Sequence, residues 1–182
     1  MREILLIVGS GVDGGNTDRL ADAFAEGATK AGHHVHKAFL GNMEISGCRG
    51  CGACQIGNSH QCSIPDAMHK IYPLFNSCDM VVLASPLYFW TISAQLKAFI
   101  ERLYACSEQD MYPKKSAFLL MTAGDDTFWT FEQAVSYYRF VIGALGWDNL
   151  GMYLAGGCDG TPGKHQIAEA QLKEAMQAGE NL

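Results

Sequence analysis

Apolar positions along the chain fall into two alternating spacings. Ile4–Val8 is an unbroken apolar run that stops at Gly9, the mark of a short strand buried on both faces. From Asn16 to Ala31 the rhythm changes, and Leu20, Phe24, Ala28 and Ala31 recur three or four apart, on one face of a helix. Asn16 or Thr17 can cap that helix and Gly32 stops it. His34–Phe39 reads as a second, weaker strand. After a loop rich in Gly and Cys, Asp66 opens a helix carrying Met68, Ile71 and Phe75, with Pro73 expected to kink or shorten it. Met80–Ala84 is a third strand, and Ser93–Tyr104 a helix with Leu96, Phe99, Ile100 and Leu103 on one side. Ser116–Thr122, a helix over Phe131–Leu145 closed by Gly146, a strand over Leu150–Ala155 and a last helix from about Lys164 to Ala178 complete the alternation.

Strands that alternate with helices build a parallel sheet covered on both faces. Right-handed crossovers reach both faces only if the winding reverses once. The commonest five-stranded solution is the order 2-1-3-4-5, whose reversal lies between the first and third strands. Ligands bind beyond the carboxyl ends of those strands, where this chain places the loops 10–16 and 85–91. With no repeat and no break in composition, residues 1–182 read as one domain with a Cys-rich loop at about 43–65.

Composition removes several functions. Side chains are 48% hydrophobic and 18% charged, which suits a globular core and argues against long disorder. The 13 Lys and Arg are outnumbered by 19 Asp and Glu, giving −6, and no basic block occurs. Nucleic acid and anionic membrane surfaces are therefore not expected partners. The apolar run before Gly9 is too short for a signal-peptide core or a membrane span, so a cytoplasmic protein is expected. Seven cysteines, an odd number, then read as thiols for chemistry or packing and not as a disulfide framework.

The loop after the first strand, GSGVDGGNTD (residues 9–18), fits two frames. Gly9, Gly11 and Gly14 spell G-x-G-x-x-G, but the dinucleotide fold also needs an acid at the end of the second strand, which here reads VHKAFL. A P-loop needs Gly-Lys-Ser/Thr, and this loop ends Gly15-Asn16-Thr17. What remains is a helix N-terminus with Ser10, Asn16 and Thr17 around it, suited to one terminal phosphate; an ordinary Gly-rich turn is the alternative. The loop across the crevice, Ser85-Pro86-Leu87-Tyr88-Phe89-Trp90-Thr91, carries three consecutive aromatics. Loops lie on the surface, so these rings suit stacking on a flat conjugated ligand or an apolar subunit contact. A phosphate cradle and an aromatic platform facing one crevice describe a flavin mononucleotide (FMN) site.

These residues carry a resemblance. Gly9-Ser10…Gly15-Asn16-Thr17, Ser85-Pro86-Leu87-Tyr88-Phe89 and Ser93–Arg102 resemble the flavodoxin-like NADPH-dependent FMN reductases, along most of the chain and including the Thr122-Ala123-Gly124 loop. The resemblance implies a flavodoxin-like fold, bound FMN, NAD(P)H as substrate and a homodimer or homotetramer with flavin near the interface. It assigns Ser10, Gly15, Asn16 and Thr17 to the phosphate, and Pro86, Leu87, Tyr88 and Phe89 to the isoalloxazine. Thr122, Ala123, Gly124 and Asp125 would close the other side of the ring. The family often has Pro-Arg after the first Ser where this chain has Gly11-Val12, which removes a cation beside the phosphate.

Cys48, Cys51, Cys54 and Cys62 form C-x2-C-x2-C-x7-C. Four thiolates with glycines between them can wrap a 4Fe–4S cubane. Zinc more often takes two separated knuckles, and an empty thiol loop is the third reading. The pattern is similar to that of iron–sulfur flavoproteins, in which the cluster exchanges electrons with FMN. Cys78, Cys106 and Cys158 are scattered and expected to fill space. His34 and His36 alternate onto one face of a strand, where a solvent-facing edge is favoured over a metal pair. Asp125, Asp126 and Trp129 follow the fourth strand and should stand near the flavin mouth, with Asp125 as a hydrogen-bond acceptor or a helix cap. Asp159 and Lys164 read as ordinary loop charges.

The chemistry expected is hydride transfer from nicotinamide to the flavin, with electrons passed to a quinone, free flavin, other small acceptor or the cluster. No side chain is demanded as catalytic acid or base. The reading of another class is an electron carrier with a ferredoxin-like donor and no nicotinamide turnover.

Overall fold

The computed structural model describes residues 1–56, 62–109, 111–158, 160–161 and 166–182. Its strands are β1 (Glu3–Val8), β2 (His34–Phe39), β3 (Met80–Pro86), β4 (Ser116–Thr122) and β5 (Asp148–Ala155). The helices are α1 (Asn16–Lys30), α2 (Met68–Ser77), α3 (Ala94–Arg102), α4 (Glu132–Leu145) and α5 (Glu169–Glu180). The strands pair in parallel in the order β2-β1-β3-β4-β5, the flavodoxin-like winding.

Alternation along each buried strand divides the core in two. Leu5, Ile7, Val81, Leu83, Leu119 and Met121 face a layer that includes Met68, Ile71, Phe75, Leu96, Phe99, Tyr138 and Ile142 from α2, α3 and α4. Ile4, Leu6, Val8, Val82, Ala84 and Leu120 face the other way, onto Leu20, Phe24 and Ala28 of α1 and Ala175 of α5. Reversal of the winding between β1 and β3 thus leaves the loops after β1, β3 and β4 opening at one end of the sheet.

Local chemistry moves several boundaries. The third strand continues through Ser85 and Pro86, because both pair with β4 (Ser85 with Met121, Pro86 with Thr122). Ser93 stands outside α3 as its cap, its Oγ accepting from the Leu96 N–H at 3.2 Å. Beyond Arg102 the chain tightens into a 3-10 turn, Leu103–Cys106. Pro73 lies inside α2 without ending it. The last helix starts at Glu169, later than the sequence suggests; Lys164 and Asp159 lie outside the described residues.

β2 is the edge strand expected, with His34 and His36 exposed on one face. Both imidazoles reach the Glu3 carboxylate, at 3.1 Å each. Among the described residues no helix is long and apolar enough to cross a membrane.

Candidate functional site

β1 ends in a tight approach: a Cβ on Gly9 would stand 2.7 Å from Leu96 Cβ and from Ser93 Oγ. That contact seats the first loop directly over the start of α3. Ser10 Oγ then accepts from the Val12 N–H at 3.1 Å, and the Gly15 N–H closes onto the Val12 carbonyl at 3.2 Å. Gly15 occupies the N-cap of α1 and has no side chain with which to cap it. The helix therefore presents its first turn to the crevice, the arrangement that attracts an anion.

The other two loops are fixed by backbone and hydroxyl bonds. The Ser85 hydroxyl accepts from the Ser93 N–H at 2.9 Å, and the Leu87 N–H donates to the Thr122 carbonyl at 2.8 Å. Tyr88 and Thr91 exchange backbone hydrogen bonds of 3.0 and 3.1 Å around Phe89 and Trp90. Both central residues are left-handed, with φ 47° and 60°, so the aromatic loop is a two-residue turn of the kind that ordinarily takes Asn-Gly. After β4, the Cys158 N–H donates to the Ala123 carbonyl at 2.8 Å and holds the third loop in place.

The three loops enclose one cleft. Ser10, Gly15, Asn16, Thr17, Pro86, Leu87, Tyr88, Thr122, Ala123 and Gly124 all line it, as do Val12, Cys158 and Gly160. Thr17 and Thr122 meet across it, their buried hydroxyls 2.7 Å apart, so Thr122 braces the helix end. Phe89 and Asp125 stand apart from this group. They border an adjoining hollow of about 510 Å³, with Leu87, Trp90 and Trp129 among its walls. The rings of Trp90 and Trp129 stack 6.4 Å apart at 26°, while Phe89 projects outward, 94% exposed. The Asp125 carboxylate is engaged by the hydroxyls of Thr130 and Thr127, which hold it below the usual carboxylate range. It acts as the clasp of the turn before α4.

Trp129 and Cys158 are harder to find from the sequence. Trp129 follows β4 closely enough to be suspected, but nothing in the spacing pairs it with Trp90. Cys158 reads as a space-filling thiol and is one, buried with its thiol pushed up by desolvation, yet it forms part of the cleft wall.

The cysteine loop is clipped to α3 on both sides. Arg102, almost wholly buried, pairs with Asp66 at 2.6 and 3.1 Å and donates to the Ser46 carbonyl at 2.9 Å. Glu101 accepts from the Cys48 N–H at 3.1 Å. Within the loop Cys48 and Cys51 are exposed, Cys54 is half-buried and Cys62 is buried. The Ala53 N–H and the Ser63 hydroxyl lower the Cys51 thiol, whereas burial pushes Cys106, beyond the loop, up to about 12. Among the described residues no three His, Cys, Asp or Glu side chains converge on a point that could hold a metal ion.

The model of the NADPH-dependent FMN reductase family matches residues 2–145. The chain belongs to that family. It is thus an oxidoreductase of a flavoprotein family, with the loops 9–18 and 85–91 both inside the matched region. An iron–sulfur flavoprotein of Archaeoglobus fulgidus is 28% identical over 177 residues, covering 97% of this chain and 76% of that protein. An iron–sulfur flavoprotein of Methanosarcina thermophila is 34% identical over 96 residues, 53% of this chain and 49% of the relative. The match thus spans about half the length of the second relative. Among solved structures, an NAD(P)H:quinone oxidoreductase from Methanothermobacter marburgensis superposes with a TM-score of 0.78 at 20% identity, over 99% of this chain and 95% of the other. That likeness concerns the fold.

Proposed function

We propose that this member of the FMN reductase family binds FMN in the three-loop cleft and uses NAD(P)H to reduce a quinone, free flavin or other small acceptor. The observation that carries the reading is the convergence of Ser10, Asn16 and Thr17 with Pro86–Tyr88 and Thr122–Gly124 on one cleft. The donor set suits the cofactor: an open helix end and hydroxyls for a phosphate, then an apolar wall for a flat ring. Bound FMN would supply a two-electron carrier between nicotinamide and acceptor. Ser10, Asn16 and Thr17 orient the phosphate, and the Thr122 hydroxyl keeps Thr17 aimed. Leu87, Tyr88 and the Trp90–Trp129 pair form the walls against which a nicotinamide or acceptor ring would lie. Hydride transfer demands no catalytic acid or base from the lining side chains.

Exposed Phe89 and Phe128 beside the mouth, and Phe140 on α4, suit a homodimeric or homotetrameric contact, and the free thiols suit the cytoplasm. The reading is tested by loading the protein with FMN and mixing it anaerobically with NADPH. Bleaching of the flavin band at about 450 nm, a property of the cofactor, is expected, and an unchanged band would sink the nicotinamide-dependent reading.

A second reading is favoured by the named relatives and the C-x2-C-x2-C-x7-C loop: an iron–sulfur flavoprotein acting as an electron carrier. It requires Cys48, Cys51, Cys54 and Cys62 to hold a 4Fe–4S cluster, so iron and acid-labile sulfide after anaerobic purification decide it. Stoichiometric iron and sulfide would favour the carrier, and their absence the plain reductase.

A further inference from the structure

We propose that Lys37 and Asp18 form a charge pair that fits the first loop to a doubly charged phosphate, making both of them positioning residues for the cofactor. The inference rests on the FMN reading above. Asp18 is the third residue of α1, with only 6% of its side chain exposed. Its Oδ2 accepts from the Gly14 N–H at 3.0 Å and so fixes the loop at Gly14, where the backbone is left-handed (φ 65°). The loop thus owes its shape to a buried carboxylate in the first turn of the helix that would seat the phosphate.

That arrangement carries an electrostatic conflict. The end of one helix offers about half a positive charge, and here a carboxylate already draws on it. A phosphate brought to the same turn would face a like charge in a region of low dielectric. The described residues lining the cleft include no Lys, Arg or His to offset it, and position 12 is Val.

Lys37 resolves the conflict from behind. It lies on β2 beside α1, and its Nζ stands 2.7 Å from Asp18 Oδ1, with Asp22 one helical turn on as a second partner. Burial works against the ammonium, but the two carboxylates more than offset it and hold Lys37 above its ordinary range. Asp18 therefore keeps its hydrogen bond to Gly14 while its charge is cancelled, and the helix end is left to the phosphate. Riboflavin, which lacks the phosphate, should be indifferent to the pair.

The test is titration of apoprotein with FMN and with riboflavin, read by flavin fluorescence. The proteins compared are wild type, Lys37→Met, Lys37→Arg, Asp18→Asn and the double variant Asp18→Asn/Lys37→Met. Lys37→Met is expected to weaken FMN about tenfold or more, on the scale of a charge-assisted contact, with riboflavin affinity unchanged. Lys37→Arg should retain FMN. The double variant should regain most of the lost affinity, since the amide oxygen introduced by Asp18→Asn still accepts from Gly14 and carries no charge. Parallel losses for FMN and riboflavin, an unaffected Lys37→Met, or a double variant no better than Lys37→Met would each overturn the pair while leaving the FMN site standing. Wild-type protein that binds neither flavin would overturn the FMN reading and the pair together. If Lys37→Met fails to fold, Asp18→Asn alone decides: FMN affinity should hold or tighten, and a selective loss of FMN overturns the proposal.

Discussion

Phe89 and Trp90 adopt left-handed backbone conformations that bulky side chains rarely accept. Each such residue costs on the order of 1–3 kcal/mol and persists where the surroundings hold it. Here the Tyr88–Thr91 bridge closes the turn and Trp129 stacks on Trp90. Replacing the dipeptide by Asn-Gly keeps the turn and removes both rings. Urea denaturation should show Phe89→Asn/Trp90→Gly to be more stable than wild type by about 1–3 kcal/mol. The same variant loses two walls of the apolar hollow and should show a raised KM for aromatic acceptors. An unchanged or lower stability would mean that the rings contribute more through packing than the backbone loses.

At the scale of elements, α1 and α5 pack through two glycines. A Cβ on Gly27 would stand 1.9 Å from the Met176 carbonyl oxygen, and one on Gly179 would stand 2.2 Å from that of Phe24. Both obstacles are backbone and neither can step aside, so Gly27→Ala must push the helices apart. It is expected to cost about 3 kcal/mol or more, read as a lowered urea midpoint. The Arg102–Asp66 clamp joins elements in another way. Burial raises the Asp66 carboxyl, but the Arg102 guanidinium and the amides of Ser46 and Met68 outweigh it, and the group sits below its ordinary range. A depressed carboxylate stabilises the fold above its unfolded value, about pH 4. That contribution is lost as pH falls through the lower folded value. Urea midpoints measured from about pH 5 down to about pH 2.5 should therefore fall less steeply for Asp66→Asn than for wild type. Equal slopes would show that Asp66 is not linked to acid unfolding.

For the whole molecule, the buried strands and the crevice were legible because burial on both faces leaves short continuous apolar runs, which length and flanking residues mark as strands. ILLIV, MVVLA and SAFLLMT lie where the apolar runs put them, and the reversal of winding brings the loops after β1, β3 and β4 together. Side chains whose partners are remote in sequence were not legible. Asp66 reads as a helix start and proves to be half of an ion pair with Arg102, and Lys37 gives no sign of reaching Asp18. Such pairings depend on crossovers that bring distant segments side by side, and composition carries no trace of them. The α1–α5 packing has a consequence for the unfolded chain. The helix that opens onto the cleft rests on another nearly the whole length of the chain away, a contact whose closure costs more chain entropy than any local one. A cofactor captured beside α1 binds only the folded chain and would therefore act as a latch on that long closure.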